Sequence, residues 1–173
     1  GVFIGIILSF AEMIIRTAKP ARCFLGVQPG HRHFEDLTES LHNCEIEGVV
    51  IYRFSSSLFF ANIDILQQDI ENAIGSDTKA VILDASGIGS IDADRLAILY
   101  RSLKSRGIRF YITEHIAELN EQMRALGLGF MIEEGRVRRT IHVALKDMGI
   151  HYPYPLKGNV DNTERSPFRK RVD

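Results

Sequence analysis

Residues 80–100 constrain the fold of this chain more than any other stretch. They open with an uninterrupted apolar run, residues 80–83, which is typical of a strand buried on both faces of a parallel sheet. A loop of small and polar residues follows, and Asp92 then begins a segment whose leucines recur at helical spacing. This order of strand, loop and helix predicts that the loop lies at the carboxyl edge of a sheet.

Strand and helix signals alternate along the rest of the chain. Runs of β-branched and aromatic residues predict strands, and apolar residues three or four apart predict amphipathic helices. The order β-β-α-β-α-β-α-β-α predicts an α/β domain with a central, mostly parallel β-sheet and right-handed crossover helices. The further strands are predicted at residues 22–27, 48–54, 108–113 and 130–132, and the further helices within residues 62–74, 116–126 and 141–148.

The N-terminal residues 1–15 form an apolar run in which Glu12 is the only charged side chain. The run is shorter than the ~20 apolar residues that cross a bilayer. Basic residues follow it at Arg16, Lys19 and Arg22, as at the cytoplasmic boundary of a membrane helix, whereas a signal peptide carries them in front. We therefore interpret residues 1–15 as the end of a last transmembrane helix. The alternative is an amphipathic helix packed on a soluble core.

Composition suggests where the connector, the α/β domain and the C-terminal tail begin and end. Residues 16–46 are predicted to connect the first helix to the domain and to include the first strand, with Pro20 ending the helix. Residues 47–150 hold the α/β domain. Residues 151–173 contain three prolines, many polar residues and a basic end, so they are predicted to form a flexible tail.

Charge and cysteine content limit the classes of function. A net charge of -1 over 173 residues gives no reason to expect nucleic acid as a partner. The two cysteines, Cys23 and Cys44, are too few for a disulfide framework and fit a reducing compartment. The sequence holds no Cys/His cluster with zinc spacing, so no metal or other cofactor is predicted.

The catalytic patterns are weak. Asp84 and Asp92 flank the central loop, where paired carboxylates can do acid–base work or hold Mg²⁺, but a strand end and a helix N-cap favour the same residues. We favour the structural interpretation of both. His31 and His33 form an HxH pair without a third ligand at a fixed spacing. Ser86 has no GxSxG context, and the loop is not a P-loop, so no catalytic residue is predicted.

The loop between the central strand and its helix is the candidate binding site. Backbone N–H groups at a helix start are unpaired, and the helix dipole favours a negative ligand there. The candidate residues for an anion, a nucleotide or a docking partner are Ser86, Gly87, Ile88, Gly89, Asp92, Ala93, Asp94 and Arg95.

Three stretches resemble the STAS domain found at the C-terminus of sulfate-permease (SulP) type anion transporters. Residues 16–30, RTAKPARCFLGVQPG, look like the connector that follows the last membrane helix. Residues 57–62, SLFFAN, are similar to the family's Leu-Phe/Tyr-Phe-Ala-Asn segment at the first helix. Residues 80–96 are similar to the strand, loop and helix that hold an Ile-Asp-Ser-Thr/Ser-Gly-Leu signature. The combination is specific and spans roughly residues 1–150.

The resemblance implies a STAS-like fold with one antiparallel N-terminal strand. It also implies a cytoplasmic domain of an inner-membrane transporter for a sulfate-like anion, with a regulatory, assembly or partner-docking role and no catalysis. The implied partners are the membrane domain of the same transporter, a second copy in a homodimer and a cytosolic regulatory protein.

The signature stretch departs from the family at the start of its helix. In the related anti-sigma-factor antagonists, the serine after the signature Asp accepts a phosphoryl group. Ala93 occupies that position and has no hydroxyl, and Arg95 replaces the family glycine. Asp94 would repel a phosphate, whereas Arg95 would attract one. The alternatives are a soluble signalling adaptor like the anti-sigma-factor antagonists and a small nucleotide-binding module.

Overall fold

The structure, a computed structural model, describes residues 1–18, 21–55, 60–115 and 117–157, and of residues 14–18, 60 and 61 it describes only the backbone. The first three positions of the SLFFAN segment therefore lie outside the described residues. The elements are α1 (Val2–Ala18), β1 (Ala21–Gly26), β2 (Glu35–Asp36), β3 (Val49–Ser55), α2 (Phe60–Ala73), β4 (Ala80–Asp84), α3 (Ala93–Ser105), β5 (Arg109–Thr113), α4 (Ala117–Ala125), α5 (Gly129–Glu133) and α6 (Ile141–Asp147).

The strands form one sheet in the order β2-β1-β3-β4-β5. Strands β3, β4 and β5 run parallel, whereas β1 runs antiparallel to β3. The predicted mostly parallel sheet with an antiparallel N-terminal strand is confirmed. Because β1 pairs Ala21 with Ser55, the chain enters the sheet where the parallel strands end. We call this end of the sheet the carboxyl edge.

Side chains of the parallel strands alternate between two cores. On one face, Tyr52, Leu83 and Phe110 pack with the buried residues of α2, α3, α4 and α5. On the other face, Ile82 and Tyr111 pack with α6 and with the segment that follows it. We call these the α3 face and the α6 face. Because both faces are covered, β4 has the continuous apolar sequence expected of a central parallel strand.

A close backbone approach explains the glycine of the connector. A Cβ on Gly26 would lie 2.3 Å from the Leu37 side chain and 2.5 Å from the carbonyl oxygen of Cys44. Since real Cβ contacts are longer than this, only glycine fits without a shift of the neighbouring chain. The Leu-Gly pair of the connector therefore has a packing role at the end of β1.

The strand predicted at residues 130–132 is wrong, because these residues belong to α5. Leu128 N–H bonds to the Met123 carbonyl, and Met131 is fully buried in the core of the α3 face. Strand-like pairing occurs further along the chain, where Val137 forms a parallel β-bridge with Ile112 of β5. A short apolar run is compatible with either a buried strand or one helical turn. Here the run packs against the α3 face of the sheet as a helical turn.

The predicted flexible tail needs correction at its beginning. Residues up to Lys157 are held against the domain, since Leu156 forms a bridge with Ile46 and the N–H of Glu47 donates to the Pro155 carbonyl at 2.8 Å. Tyr154 and Leu156 also pack on the core of the α6 face. Composition does not reveal this attachment, because the aromatic and aliphatic side chains that make it lie between prolines. Residues 158–173 lie outside the described residues.

Candidate functional site

Strands β3 and β4 end in an ion pair at the carboxyl edge. Register pairing sets Arg53 beside Asp84, and Arg53 Nε donates to Asp84 Oδ2 at 3.0 Å. Asp84 is only 2% exposed and also accepts a hydrogen bond from the Ser86 N–H at 3.0 Å. A carboxylate buried to this extent requires such partners. Asp84 therefore fixes the start of the predicted loop.

The loop itself is tightly packed. A Cβ on Gly87 would lie 2.5 Å from Ser55 Oγ, so a side chain cannot be added there without movement. Ile88 is buried in the core of the α3 face, and its N–H donates to the Ala85 carbonyl. Gln122 of α4 donates to the Gly89 carbonyl at 3.0 Å. Contacts with the end of β3, with the core of the α3 face and with α4 thus hold the loop in one conformation.

An N–H group and the cation at the start of α3 already have partners in neighbouring side chains. Asp92 is the N-cap, and its Oδ1 accepts a hydrogen bond from the Arg95 N–H at 3.2 Å. The guanidinium of Arg95 forms an ion pair with Asp64 of α2. Asp94 in the first turn is exposed and adds a further negative charge. With Ala93 at the first helical position, the residue after the N-cap has no hydroxyl to accept a phosphoryl group, and the guanidinium of Arg95 in the first turn is already paired.

The two pockets that are lined by described residues alone do not gather the eight predicted site residues. A pocket of about 260 Å³ opens at the carboxyl edge on the α6 face, and Ser86 is the only predicted site residue in its lining. We call it the edge pocket. It is lined by Arg32, His33, Phe34, Arg53, Asp84, Ser86, Glu114, Ile141 and His142.

Most of this lining was not predictable from the sequence, because its residues come from five separate segments of the chain. His33 belongs to the HxH pair, whereas Arg32, Glu114 and His142 gave no local signal. The unusual backbone at Glu114, with φ at 56°, follows β5 directly and turns its carboxylate toward the start of α6. There Glu114 Oε1 accepts a hydrogen bond from the Ile141 N–H at 3.1 Å.

His142 lines the edge pocket and packs against aromatic rings. Its ring centroid lies 5.0 Å from that of Phe34 and 6.0 Å from that of Tyr154, whose hydroxyl bonds to His142 Nδ1. Burial lowers the pKa of His142 below the ordinary histidine value, with the nearby Arg32 and His33 acting in the same direction and Glu114 opposing them. The imidazole therefore favours its neutral form at neutral pH.

Nucleophilic and metal chemistry have little support at this edge. Cys23 pairs with Arg53 across β1 and β3, and burial raises the pKa of its thiol to about 11, with Asp36 adding to the effect. The thiol is thus protonated at neutral pH. Within the described ranges, no group of three or more His, Cys, Asp or Glu side chains is arranged to hold a metal ion.

A second, larger pocket opens at the opposite edge, where the parallel strands begin. It measures about 960 Å³ and is lined by Lys79 and Arg109 together with the apolar side chains of Met148 and Ile150. Lys157 also lines this pocket, and its Nζ forms an ion pair with Asp77 Oδ2 at 3.4 Å. None of the predicted site residues lies in it.

The sequence of residues 42–144 matches the family model of the STAS domain. This chain belongs to the STAS domain family. The resemblance to STAS domains of SulP-type transporters is confirmed, because the curated relatives are transporters. A probable sulfate transporter of Mycobacterium tuberculosis is 29% identical over 156 residues, which cover 84% of this chain and 28% of the relative. Probable sulfate transporter 3.5 of Arabidopsis thaliana is 29% identical over 129 residues, which cover 71% of this chain and 20% of the relative.

Solved structures support the STAS fold. The murine Slc26a9 anion transporter in its inward-facing state matches 86% of this chain with a TM-score of 0.67 and 23% identity, over 25% of its own length. A sulfate transporter family protein from Wolinella succinogenes matches 66% of this chain with a TM-score of 0.54 and 23% identity, over 96% of its own length. The STAS chain described here therefore spans only about a quarter of the longer proteins that it matches.

Proposed function

We propose that this chain is the cytoplasmic, C-terminal STAS domain of a SulP-type inner-membrane transporter for sulfate or a similar anion. Its role is regulation, assembly or partner docking, and we assign it no catalytic step. Family membership and the relatives, which are probable sulfate transporters, support the transporter context. The single observation that carries the proposal is a strongly apolar helix attached to, but not covered by, the STAS domain.

That helix is α1. Its large apolar side chains up to Met13 are exposed, with Phe3 82% and Ile7 65% accessible. A helix that is apolar all round is normally covered by protein or by lipid. α1 has 17 residues, and none of the described helices has the length and apolarity needed to cross a membrane. In our proposal, α1 is the end of a last membrane helix.

The attachment point of α1 suggests which edge of the domain faces the membrane. β1 follows α1 and pairs Ala21 with Ser55 at the carboxyl edge. Ser55 is also the residue against which Gly87 packs. The loop at residues 85–95 therefore lies at the end of the domain where the membrane helix would enter. In our proposal this loop, with the start of α3, docks on the membrane domain or on a regulatory protein.

The test uses the full-length protein that contains this chain, produced in cells that lack sulfate uptake. Membrane fractionation, radiolabelled sulfate uptake and protease accessibility of a tag placed after residue 173 are measured together. We expect the protein in the membrane fraction, uptake above background, and cleavage of the tag only in inside-out vesicles. A protein in the soluble fraction, or a tag cleaved from outside intact cells, would overturn the proposal.

Docking through the loop calls for a matched pair of variants in the same uptake assay. Gly87→Val pushes against Ser55 and should reduce uptake while the protein still reaches the membrane. Gly129→Val lies in α5, where the nearest atom to a new Cβ is 4.0 Å away, so it serves as the control. Equal uptake by the two variants at equal membrane levels would contradict a role for this loop.

A further inference from the structure

Helix α2 forms ion pairs with the elements on both of its sides. Toward the connector, Asp69 Oδ2 lies 3.1 Å from Nη1 of Arg22 in β1. Toward the candidate loop, the carboxylate of Asp64 is paired with the guanidinium of Arg95 in the first turn of α3. Asp64 and Asp69 lie on different sides of the helix, because five residues turn an α-helix by about 140° beyond one full turn. One helix is thus joined by charge both to β1 and to α3.

The pair with the connector is largely buried. The side chains of Arg22 and Asp69 are only 13% and 15% exposed. The same carboxylate oxygen accepts a hydrogen bond from the hydroxyl of Tyr52 in β3, and Tyr52 is fully buried. A buried charge that loses its partner is strongly unfavourable, so Arg22 and Asp69 should stay paired in the folded chain. Asp69 therefore ties β1 and β3 to α2 at one point.

The register of β1 directs Arg22 toward α2. Side chains alternate along a strand, so Arg22 lies on the same face of the sheet as Phe24. Phe24 packs in the core of the α3 face, with its ring centroid 4.9 Å from that of Tyr52. The apolar stripe of α2 is buried in the same core at Ile63, Leu66 and Ile70. Because that stripe fixes α2 on the sheet, the acidic residues on its flanks have fixed positions as well.

The two arginines lie at different ends of the route from α1 to the candidate loop. Arg22 is the second residue of β1, four positions after the end of α1 at Ala18, so a displacement of α1 acts on the sheet first near Arg22. Arg95 belongs to the end of the candidate loop, since its N–H also donates to Asp92, the N-cap of α3, at 3.2 Å. A movement of either arginine therefore acts on α2, from two different sides.

We propose that α2 couples the membrane-side connector to the start of α3 through the ion pairs Arg22–Asp69 and Asp64–Arg95. Asp69 is a positioning residue in this arrangement, because it holds the beginning of β1 rather than a ligand. The regulatory use of the coupling rests on the proposed function, in which the loop at residues 85–95 docks on a partner. The coupling itself is a property of this chain, so it can fail while the transporter assignment holds, and the reverse.

The first experiment follows arginine side chains by NMR in the whole chain in detergent, because the Nε–H signal of an arginine responds to changes in its ion pair. In Asp69→Asn, the Arg22 signal should shift, and the Arg95 signal should shift with it. Glu71→Gln is the matched control, since it removes the same charge from α2 two positions away. Its partner is Arg106 at 2.8 Å, at the end of α3 that is remote from the loop, so only the Arg106 signal should shift.

The reverse perturbation decides the question if Asp69→Asn does not fold. Asp64→Asn breaks a pair whose carboxylate is exposed, so the fold should be retained. Coupling between two sites is reciprocal, so this change should shift the Arg22 signal as well as that of Arg95. If each variant shifts only the signal of its own partner, α2 carries no coupling and the proposal is overturned.

A comparison of two double-mutant cycles measures the coupling. Arg22→Gln and Arg95→Gln are made separately and together, and urea denaturation gives the folding equilibrium constant of each chain. The combined effect should differ from the product of the separate effects by about threefold or more, as expected for coupled sites. The control cycle joins Arg22→Gln to Arg109→Gln, at the exposed start of β5, and its effects should multiply to within about twofold. Multiplicative behaviour in both cycles, or equal deviations in both, would overturn the proposal.

Discussion

The apolar residues of α1 and β4 have opposite surroundings. In β4, Val81, Ile82 and Leu83 are all 0% exposed, because helices cover both faces of the sheet. In α1, Phe3 is 82% exposed and Ile7 is 65% exposed. Both stretches consist mostly of apolar residues, so apolar sequence alone does not decide burial. The outcome depends on whether the rest of the domain supplies a covering surface.

This difference separates the forces that act on the two stretches. Burial of β4 contributes directly to the stability of the domain. The apolar surface of α1 contributes to association with something outside the domain, which we propose to be lipid and the preceding membrane segments. Changes in α1 should therefore alter association without altering folding, and changes in β4 should do the reverse.

The largest effect should follow from deletion of residues 1–18. The shortened chain should lose vesicle association by about tenfold or more, because the buried apolar area is lost, while its free energy of unfolding stays nearly constant. Flotation with phospholipid vesicles and urea unfolding measure the two quantities. Leu41→Ser, at an exposed apolar residue of the domain, is the control and should not reduce flotation. An unfolded shortened chain would show that α1 belongs to the core.

The next effect concerns β4. Leu83→Ala removes a fully buried side chain and should lower the free energy of unfolding by about 2–5 kcal/mol. The matched change Ile7→Ala, on the exposed surface of α1, should alter it by less than about 0.5 kcal/mol. Urea denaturation followed by circular dichroism gives both values. Equal losses in the two variants would remove the distinction between the stretches.

A smaller loss is expected where the loop packs against the end of β3. Gly87→Ala places a Cβ against Ser55 and should cost about 1–3 kcal/mol of unfolding free energy, because overpacking moves the backbone. Gly129→Ala is the control, since it adds a methyl group in open space within α5 and alanine favours a helix. If both changes are neutral in the same denaturation experiment, the loop is less tightly held than its contacts indicate.

The smallest effect is the pH dependence contributed by His142. Burial lowers its pKa in the folded state, so the unfolded chain binds more protons as the pH falls through the ordinary histidine pKa of 6.5. The free energy of unfolding should therefore decrease on acidification, and His142→Gln should show a shallower decrease. The difference between the two chains isolates His142 from the other histidine with a lowered pKa, His115. Parallel pH curves for the two chains would contradict this linkage.

The fold was largely accessible from the sequence because its signals are local. The continuous apolar run of β4, the N-cap at Asp92 and the glycine at Gly107 with positive φ each express a short-range requirement of strand, helix start or helix end. The structural interpretation of Asp84 and Asp92 rests on the same rules, and both residues have the contacts that it requires.

The errors arose where packing outweighs local pattern. Residues 130–132 are apolar and short, so their pattern suits a strand as well as the helical turn that they form. Residues 151–157 are rich in proline, yet Tyr154 and Leu156 attach them to the α6 face. Neither outcome has a local signature, because residues 130–132 pack against strands that come earlier in the chain and Leu156 pairs with Ile46, more than a hundred residues before it.

The sequence by itself determined the α/β class, the parallel core of the sheet, the STAS resemblance and the special position of the loop after β4. Only the tertiary structure decided that the loop is split between two faces of the sheet and that Arg32, Glu114 and His142 meet at its edge. The physical reason is that backbone preferences act over a few residues, whereas a pocket depends on the crossover connections that bring distant segments to one end of a sheet.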